Sequence, residues 1–227
     1  MPRLYEMLEK DVRYREGMKA CLNCGVCTAI CPAAEVSDYD PRQIMNIVQE
    51  SDEAALEKLL KSDDIWRCGE CLSCKTRCPR GNTPCYVIQA LRALSIETGF
   101  FIESEQGRKQ LAIKRTVGDH ILQYGYCVYI DEVDNETYPE QGPVWKWIRK
   151  NRSHVMQRLG TSYGQSKAGT LRNTAKESLE DLKKIFDETG GTARFEKIEK
   201  FSAKKAGEMN KEFSKGKDEY WRYLYNE

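Results

Sequence analysis

The sequence predicts a mainly α protein, and three observations carry that expectation. Two pairs, Asp40-Pro41 and Thr83-Pro84, have the form of a helix N-cap followed by proline in the first helical position. The thirty-six residues between Cys31 and Cys68 repeat apolar side chains at helical spacing. The last third of the chain does the same. The expected architecture is a helical domain over residues 1–139 and a helical C-terminal extension over 140–227.

Residues 2–16 read as one amphipathic helix, with Leu4, Met7, Leu8 and Val12 on one face and Gly17 as its stop. Thr28 to Cys31 reads as a helical turn before Pro32. Asp40-Pro41 opens a helix with Ile44, Ile47 and Val48 on one side. Ser51 is expected to cap the next helix, with Glu53 and Glu57 early and Lys58 and Lys61 late, as the macrodipole favours. Thr83-Pro84 opens a helix to about Glu97, with Val87, Ile88, Leu91 and Leu94 inward and Thr98-Gly99 at its end. A further helix is expected over about 103–124. Gly-Tyr-Cys-Val-Tyr-Ile, residues 125–130, is strand-like by its β-branched and aromatic content. Asp131 to Gly142 reads as an acidic loop, and the domain boundary is set there. Beyond it the sequence predicts a helix near 143–159, a Gly/Ser linker at 160–169 and a helix at about 170–188. That helix carries Leu171, Ala175, Leu179, Leu182, Ile185 and Phe186 on one stripe. Glu188 to Thr192 is a stop and restart. The tail keeps Phe195, Ile198, Phe201, Met209 and Phe213 at helical spacing and ends in Trp221, Tyr223, Leu224 and Tyr225.

Two cysteine runs carry the chemistry. One is Cys21-Leu-Asn-Cys24-Gly-Val-Cys27-Thr-Ala-Ile-Cys31-Pro32; the other is Cys68-Gly-Glu-Cys71-Leu-Ser-Cys74-Lys-Thr-Arg-Cys78-Pro79. Both are C-x2-C-x2-C-x3-C-P, the bacterial-ferredoxin run for [4Fe–4S] clusters. Three thiolates at that spacing wrap one cube, and the fourth points away to the other cluster. The expected assignment is therefore crossed: Cys21, Cys24, Cys27 and Cys78 for one cluster, Cys68, Cys71, Cys74 and Cys31 for the other. The helical spacer argues for an all-helical ferredoxin-type domain with two [4Fe–4S] clusters over the βαββαβ kind. Structural zinc uses separated C-x2-C pairs or pairs with histidine, which does not account for two runs of four. A disulfide framework belongs to small secreted domains.

The opening Met-Pro-Arg-Leu-Tyr-Glu lacks the apolar core of a secretory signal, and no apolar stretch reaches the ~20 residues of a membrane helix. The expectation is a soluble, cytoplasmic protein with no transmembrane segment. Residues 1–139 hold 17 Lys+Arg against 22 Asp+Glu, net −5; residues 140–227 hold 19 against 13, net +6. The basic half is interleaved with acids at helical spacing and shows no nucleic-acid-binding stripe.

Other residues invite a role. Cys85 reads as a small buried residue beside a cluster, with a helix N-terminal thiolate as the alternative. Cys127 reads as core. His120 and His154 have no partner motif. Lys75, Arg77 and Arg80 flank the second run, either raising the potential of an anionic cluster or standing solvated. The aromatic end reads as a surface that another polypeptide would cover, making residues 140–227 a docking arm.

Cys21–Pro32, the stretch Asp63-Asp64-Ile65-Trp66-Arg67-Cys68 to Arg80, and the late Glu-Thr-Gly-Gly-Thr-Ala-Arg-Phe-Glu segment together resemble the C-type, iron–sulfur subunit of heterodisulfide reductase. The same features occur in the heterodisulfide-reductase-like complexes of sulfur oxidisers. The resemblance covers residues 15–125 well and the tail loosely. It implies a helical ferredoxin fold whose two clusters pass electrons between a flavin-bearing, A-type subunit and a B-type subunit with cysteine-rich non-cubane clusters. The cysteine motif is also similar to the iron–sulfur subunits of succinate dehydrogenase and anaerobic glycerol-3-phosphate dehydrogenase. The alternative it leaves is an iron–sulfur subunit of a membrane-associated, quinone-linked dehydrogenase. The sequence has no paired Cys-Cys-Gly motif, no G-x-G-x-x-G and no Ser–His–Asp or Cys–His constellation, so no bond-making chemistry is expected in this chain alone.

Overall fold

The structure, a computed structural model, describes residues 3–226, so Pro2 of the expected first helix lies outside the described residues. The chain forms two compact units, Met1–Lys109 and Gln110–Glu227. Every regular element among the described residues is helical.

The first unit is built on helices α1 (Leu4–Leu8), α2 (Val12–Gly17), α3 (Val26–Ala29), α4 (Pro32–Val36), α5 (Pro41–Glu50), α6 (Glu53–Leu60), α7 (Ser73–Arg77), α8 (Pro84–Thr98) and α9 (Glu105–Arg108). Local chemistry sets many of these ends. Asp40 accepts from the backbone N–H of Arg42 and Gln43 and caps α5, with Pro41 at the first position. Asp52, not Ser51, caps α6, accepting from the N–H of Ala54 and Ala55; Ser51 sits in the left-handed region at the end of α5. The single helix expected over residues 2–16 is two, because Asp11 accepts from the N–H of Arg13 and starts a new helix. α8 is the central helix. Val87, Ile88, Leu91 and Leu94 are buried with Tyr5, Leu8, Ile44, Met45, Val48, Leu56, Leu60 and Ile65. α1, α2, α5 and α6 all pack on it. Gly17 permits the closest of these approaches: a Cβ there would meet the Thr83 carbonyl oxygen and Tyr86 Cβ at 2.9 Å. The Thr83 N–H donates to the Gly17 carbonyl at 2.8 Å.

The second unit contains α10 (Gln110–Ile113), a π-helical turn over Lys114–Gly118, α11 (Asp119–Tyr124), α12 (Gly142–Lys150), α13 (Arg152–Arg158), α14 (Lys176–Glu188), α15 (Gly191–Glu208) and α16 (Glu219–Asn226). The continuous helix expected over 103–124 is thus broken into short pieces, and the expected 143–159 helix is two. The 170–188 helix starts only at Lys176, with Leu171 in the left-handed region. The strand-like 125–130 stretch forms no strand: among the described residues no second strand lies beside it to take its hydrogen bonds, and Tyr124 stacks on Tyr129 across a turn, centroids 4.2 Å apart. Cys127, expected in the core, is exposed on that turn.

The division between units falls before the expected 139/140 boundary, for a packing reason. Ile130, Val133 and Tyr138 are buried inside the second unit. Tyr138 meets Trp221 and Tyr225 edge-on, and Trp221 stacks on Tyr225 at 5.0 Å. Trp221 is 1% exposed and Leu224 4%. These two side chains of the aromatic end therefore need no other polypeptide to cover them.

The second unit also buries a charge. Arg115, on the π-helical turn, pairs with Glu199 and Asp218, each at 2.7 Å, and donates to the carbonyls of Ser214 and Gly216. Lys114 reaches Glu199 at 2.9 Å, and the Phe213 ring lies under the guanidinium at 4.7 Å. Burial opposes ionisation of Glu199, but the hydrogen bonds from Arg115 and Lys114 outweigh it and hold its carboxyl below 4.5. Its contribution is complete above 4.5 and is lost as pH falls through the lowered folded value. Arg115→Met leaves two carboxylates without the guanidinium that joins them. It should cost about 3–5 kcal/mol, the loss seen when one partner of a buried pair is removed, read from the second unit's transition in urea.

Candidate iron–sulfur site

The two cysteine runs fold as the same backbone shape twice. In the first, Asn23 (φ +56°) and Gly25 (φ +78°) bracket Cys24; in the second, Glu70 (φ +55°) and Leu72 (φ +61°) bracket Cys71. Two left-handed residues around the middle cysteine curl each loop back on itself. Glycine takes that conformation freely, whereas Leu72 holds it at a cost of about 1–3 kcal/mol. Each curl runs into a short helix, α3 or α7, and these two helices pack on each other.

Helix α5 holds the first run. Gln49 accepts from the Cys21 N–H and donates to the Cys21 carbonyl. Asn46 donates to Asn23 at 3.0 Å, and Asp40 accepts from the Thr28 hydroxyl as well as capping its own helix. Helix α8 holds the second. Arg92 donates to the carbonyls of Ile65 and Cys68 and to Glu70, at 2.6, 2.7 and 2.7 Å, and its guanidinium lies over the Trp66 ring. Gln89, one turn earlier, also donates to Glu70. Sequence reasoning missed Arg92. Its signal was a polar pair, Gln89 and Arg92, at i and i+3 on a helix that is otherwise largely apolar.

None of the ten cysteines is in a disulfide. Two cavities collect eight of them along with Cys85. The first, about 110 Å³, is walled by Cys31, Cys68, Cys71 and Cys74, with Cys27 and Cys85 also at its edge and Tyr39, Pro84 and Ile88 beside them. The second has a smaller enclosed volume, about 20 Å³; it is lined by Cys21, Cys24, Cys27 and Cys78, with Arg42, Arg80 and Asn82. Its Cys24 is exposed. The second cavity is thus bordered by three cysteines of the first run and one of the second, and the first by three cysteines of the second run, two of the first and Cys85. A donor set of four sulfurs suits a [4Fe–4S] cube, which takes one thiolate per iron.

The thiols differ in readiness. Burial pushes Cys27 up to about 11 and raises Cys74 as well. Both are neutral thiols at pH 7, the form from which any metal ligation would have to remove a proton. Cys71 is lowered by its contact with the Ser73 hydroxyl. Cys85 is 1% exposed in the first turn of α8; burial, then the neighbouring Cys68 and Cys74, push it up to about 12. That is the environment of a buried neutral thiol. Of the flanking cations, Lys75, Arg77 and Arg80 are all exposed, and only Arg80 lines a cavity. His120 is buried in the second unit, where burial lowers its pKa; His154 is exposed.

These features define a two-cluster iron–sulfur protein of all-helical build, and residues 17–82 match the family described as a 4Fe-4S dicluster domain. Two [4Fe–4S] clusters are its cofactors. The chain is 34% identical over 189 residues to the C-type subunit of the ferredoxin:CoB-CoM heterodisulfide reductase of Methanosarcina acetivorans, covering 82% of this chain and 69% of that one. It is 29% identical over 141 residues, 60% of this chain and 72% of the relative, to the C-type iron-sulfur subunit of the CoB–CoM heterodisulfide reductase of Methanopyrus kandleri. It is 32% identical over 113 residues, 50% of this chain and 54% of the relative, to the second C-type iron-sulfur subunit of the corresponding reductase of Methanocaldococcus jannaschii. The chain belongs to the family of C-type iron–sulfur subunits of heterodisulfide reductase, whose members are parts of an oxidoreductase complex. No helix among the described residues is long and apolar enough to cross a membrane.

Arg92 fixes Cys68 through its carbonyl, so its loss should loosen the second run alone. Arg92→Met should speed iron release to a chelator roughly 10–100-fold, the usual effect of deleting a group that orients metal ligands. The fast phase should account for about half of the iron, the share of one cluster in two.

Proposed function

We propose that this chain is the electron-relay subunit of a cytoplasmic heterodisulfide reductase or heterodisulfide-reductase-like complex acting on sulfur groups. It passes electrons through its two clusters between a flavin-bearing, A-type partner and a cysteine-rich, B-type partner with non-cubane clusters. The ligands are crossed: Cys21, Cys24, Cys27 and Cys78 hold one cluster, and Cys68, Cys71, Cys74 and Cys31 hold the other. The observation that carries this reading is the pair of cavities: one is lined by Cys21, Cys24 and Cys27 together with Cys78 of the other run, and the other by Cys68, Cys71 and Cys74 together with Cys31, with Cys27 and Cys85 beside them. The packing of α3 on α7 supports it, because it holds the two loops together. When bound, the clusters supply one-electron transfer; the chain orients them and surrounds them with the groups described above.

Anaerobically prepared protein should contain about eight iron per chain. In the reduced Cys31→Ala variant, the paramagnetic resonance signal that changes should be the one that Cys68→Ser also changes. A Cys31→Ala effect that instead matches Cys21→Ser would refute the crossing. Cys85→Ala should keep both signals.

Docking on the partner proteins belongs to the C-terminal half in this reading. Its aromatic end is partly used internally, so the contact falls to exposed apolar side chains such as Val144 and Trp147 on α12, which are 68% and 58% exposed. Val144→Asp with Trp147→Asp should leave iron content intact and sharply reduce co-purification with the flavin-bearing and non-cubane-cluster proteins. Unchanged recovery of the complex would move the docking surface elsewhere, and recovery with a membrane quinone enzyme would replace the proposal.

A further inference from the structure

Tyr39 carries a polar atom that the fold does not use. Its ring is packed in the core of the first unit, 2% exposed, among Ile44, Met45, Ile88 and their neighbours. Its hydroxyl is buried and meets no hydrogen-bond partner in the protein. A phenylalanine would fill the same space without desolvating a hydroxyl, so the oxygen requires an explanation. The side chain lines the first cavity together with Cys31, Cys68, Cys71 and Cys74. A phenol carries its proton near pH 7, so the hydroxyl is available as a donor into that cavity.

We propose that the Tyr39 hydroxyl donates a hydrogen bond to a sulfur of the cluster held in this cavity and thereby raises the reduction potential of the cluster that Cys68 holds. This rests on the ligand reading above. One-electron reduction adds negative charge that spreads onto the sulfurs, and a donor at a sulfur favours the reduced form over the oxidised one. No proton is transferred and no bond to iron changes. Tyr39 is itself buried and the cavity wall is largely apolar, so the hydrogen bond is weakly screened. The Tyr39 residue lies on the link between α4 and α5, immediately before the Asp40 cap that fixes the start of α5.

The test is potentiometric titration of the full chain, followed by paramagnetic resonance, in wild type, Tyr39→Phe and Cys68→Ser. Cys68→Ser marks which signal belongs to the Cys68 cluster. In Tyr39→Phe that signal should titrate at lower potential, its reduced-to-oxidised ratio at fixed potential falling roughly threefold to tenfold, the equilibrium effect of one net hydrogen bond. The other signal should not move. If Cys68→Ser alters neither signal, the ligand reading fails. If it marks one signal and Tyr39→Phe leaves that signal's potential unchanged, or shifts both signals equally, the role of Tyr39 is overturned while the ligand reading stands. Should Tyr39→Phe lose iron, proton hyperfine spectra of the wild type before and after exchange into deuterated water decide. A strongly coupled exchangeable proton on the marked cluster supports the proposal, and its absence overturns it.

Discussion

Burial of α8 is the constraint on which the first unit depends. Val87, Ile88 and Leu91 are fully enclosed, and each is worth about 1.5–3 kcal/mol over its exposed state. That sum fixes the helix against α1, α2, α5 and α6 before any sulfur is considered. Because the helix is fixed, its polar stripe can act as a bracket: Arg92 and Gln89 reach the second cysteine run, and Thr83, at its N-terminus, ties down the end of α2. α5 does the same for the first run through Gln49 and Asn46. The two loops are held by helices whose packing is independent of the metal. A site that demands several sulfurs at defined positions needs such support, since loops on their own do not hold ligand geometry closely.

The loops themselves are not relaxed. Asn23, Glu70 and Leu72 all sit in the left-handed region, which side chains other than glycine and asparagine enter reluctantly. Half-buried Cys27 is held at about 11, so its thiolate is disfavoured without a cationic partner. On the proposed ligand assignment, ligation would offset both strain and desolvation and couple the local fold of each loop to its cluster. The core around α8 carries no such coupling.

What was legible in the sequence was mostly local. The Asp40 cap works because a side chain bonds backbone groups two and three residues on, a reach that a motif can state. Asp52 displaced Ser51 by the same chemistry shifted one residue, a choice between two good caps that only the left-handed turn at Ser51 settles. The eight ligand candidates were visible because their spacing is fixed by the cube. Arg92 and Tyr39 were invisible because their partners are remote: Arg92 bonds groups 22 to 27 residues away, and Tyr39 is distinguished by a missing bond. Arg115 is the extreme case, its carboxylates lying 84 and 103 residues along the chain. The division into two compact units falls before the acidic stretch for a related reason. The acidic stretch after Asp131 looks like a linker, yet Asp134 pairs with Lys217 and Tyr138 packs on Trp221, contacts that composition does not encode.

The two cavities differ in ways that bear on what a pair of clusters can do. Identical cubes in identical surroundings would share one potential, and an electron would have no preferred residence. Here one cavity has Arg42, Arg80 and Asn82 around an exposed Cys24, and the Asn82 N–H donates to the Cys78 sulfur at 3.3 Å. The other is lined by buried Tyr39, Cys85 and Ile88 and by exposed Arg67 and Cys71. Exposed cations act across solvent, and their influence falls as salt rises. A buried hydroxyl acts through fixed dipoles in a low-dielectric wall and is nearly indifferent to salt. On the proposals above, the cluster beside Tyr39 would have a buried donor of this fixed kind, set by the first unit's own core, which the lining of the other cavity does not include.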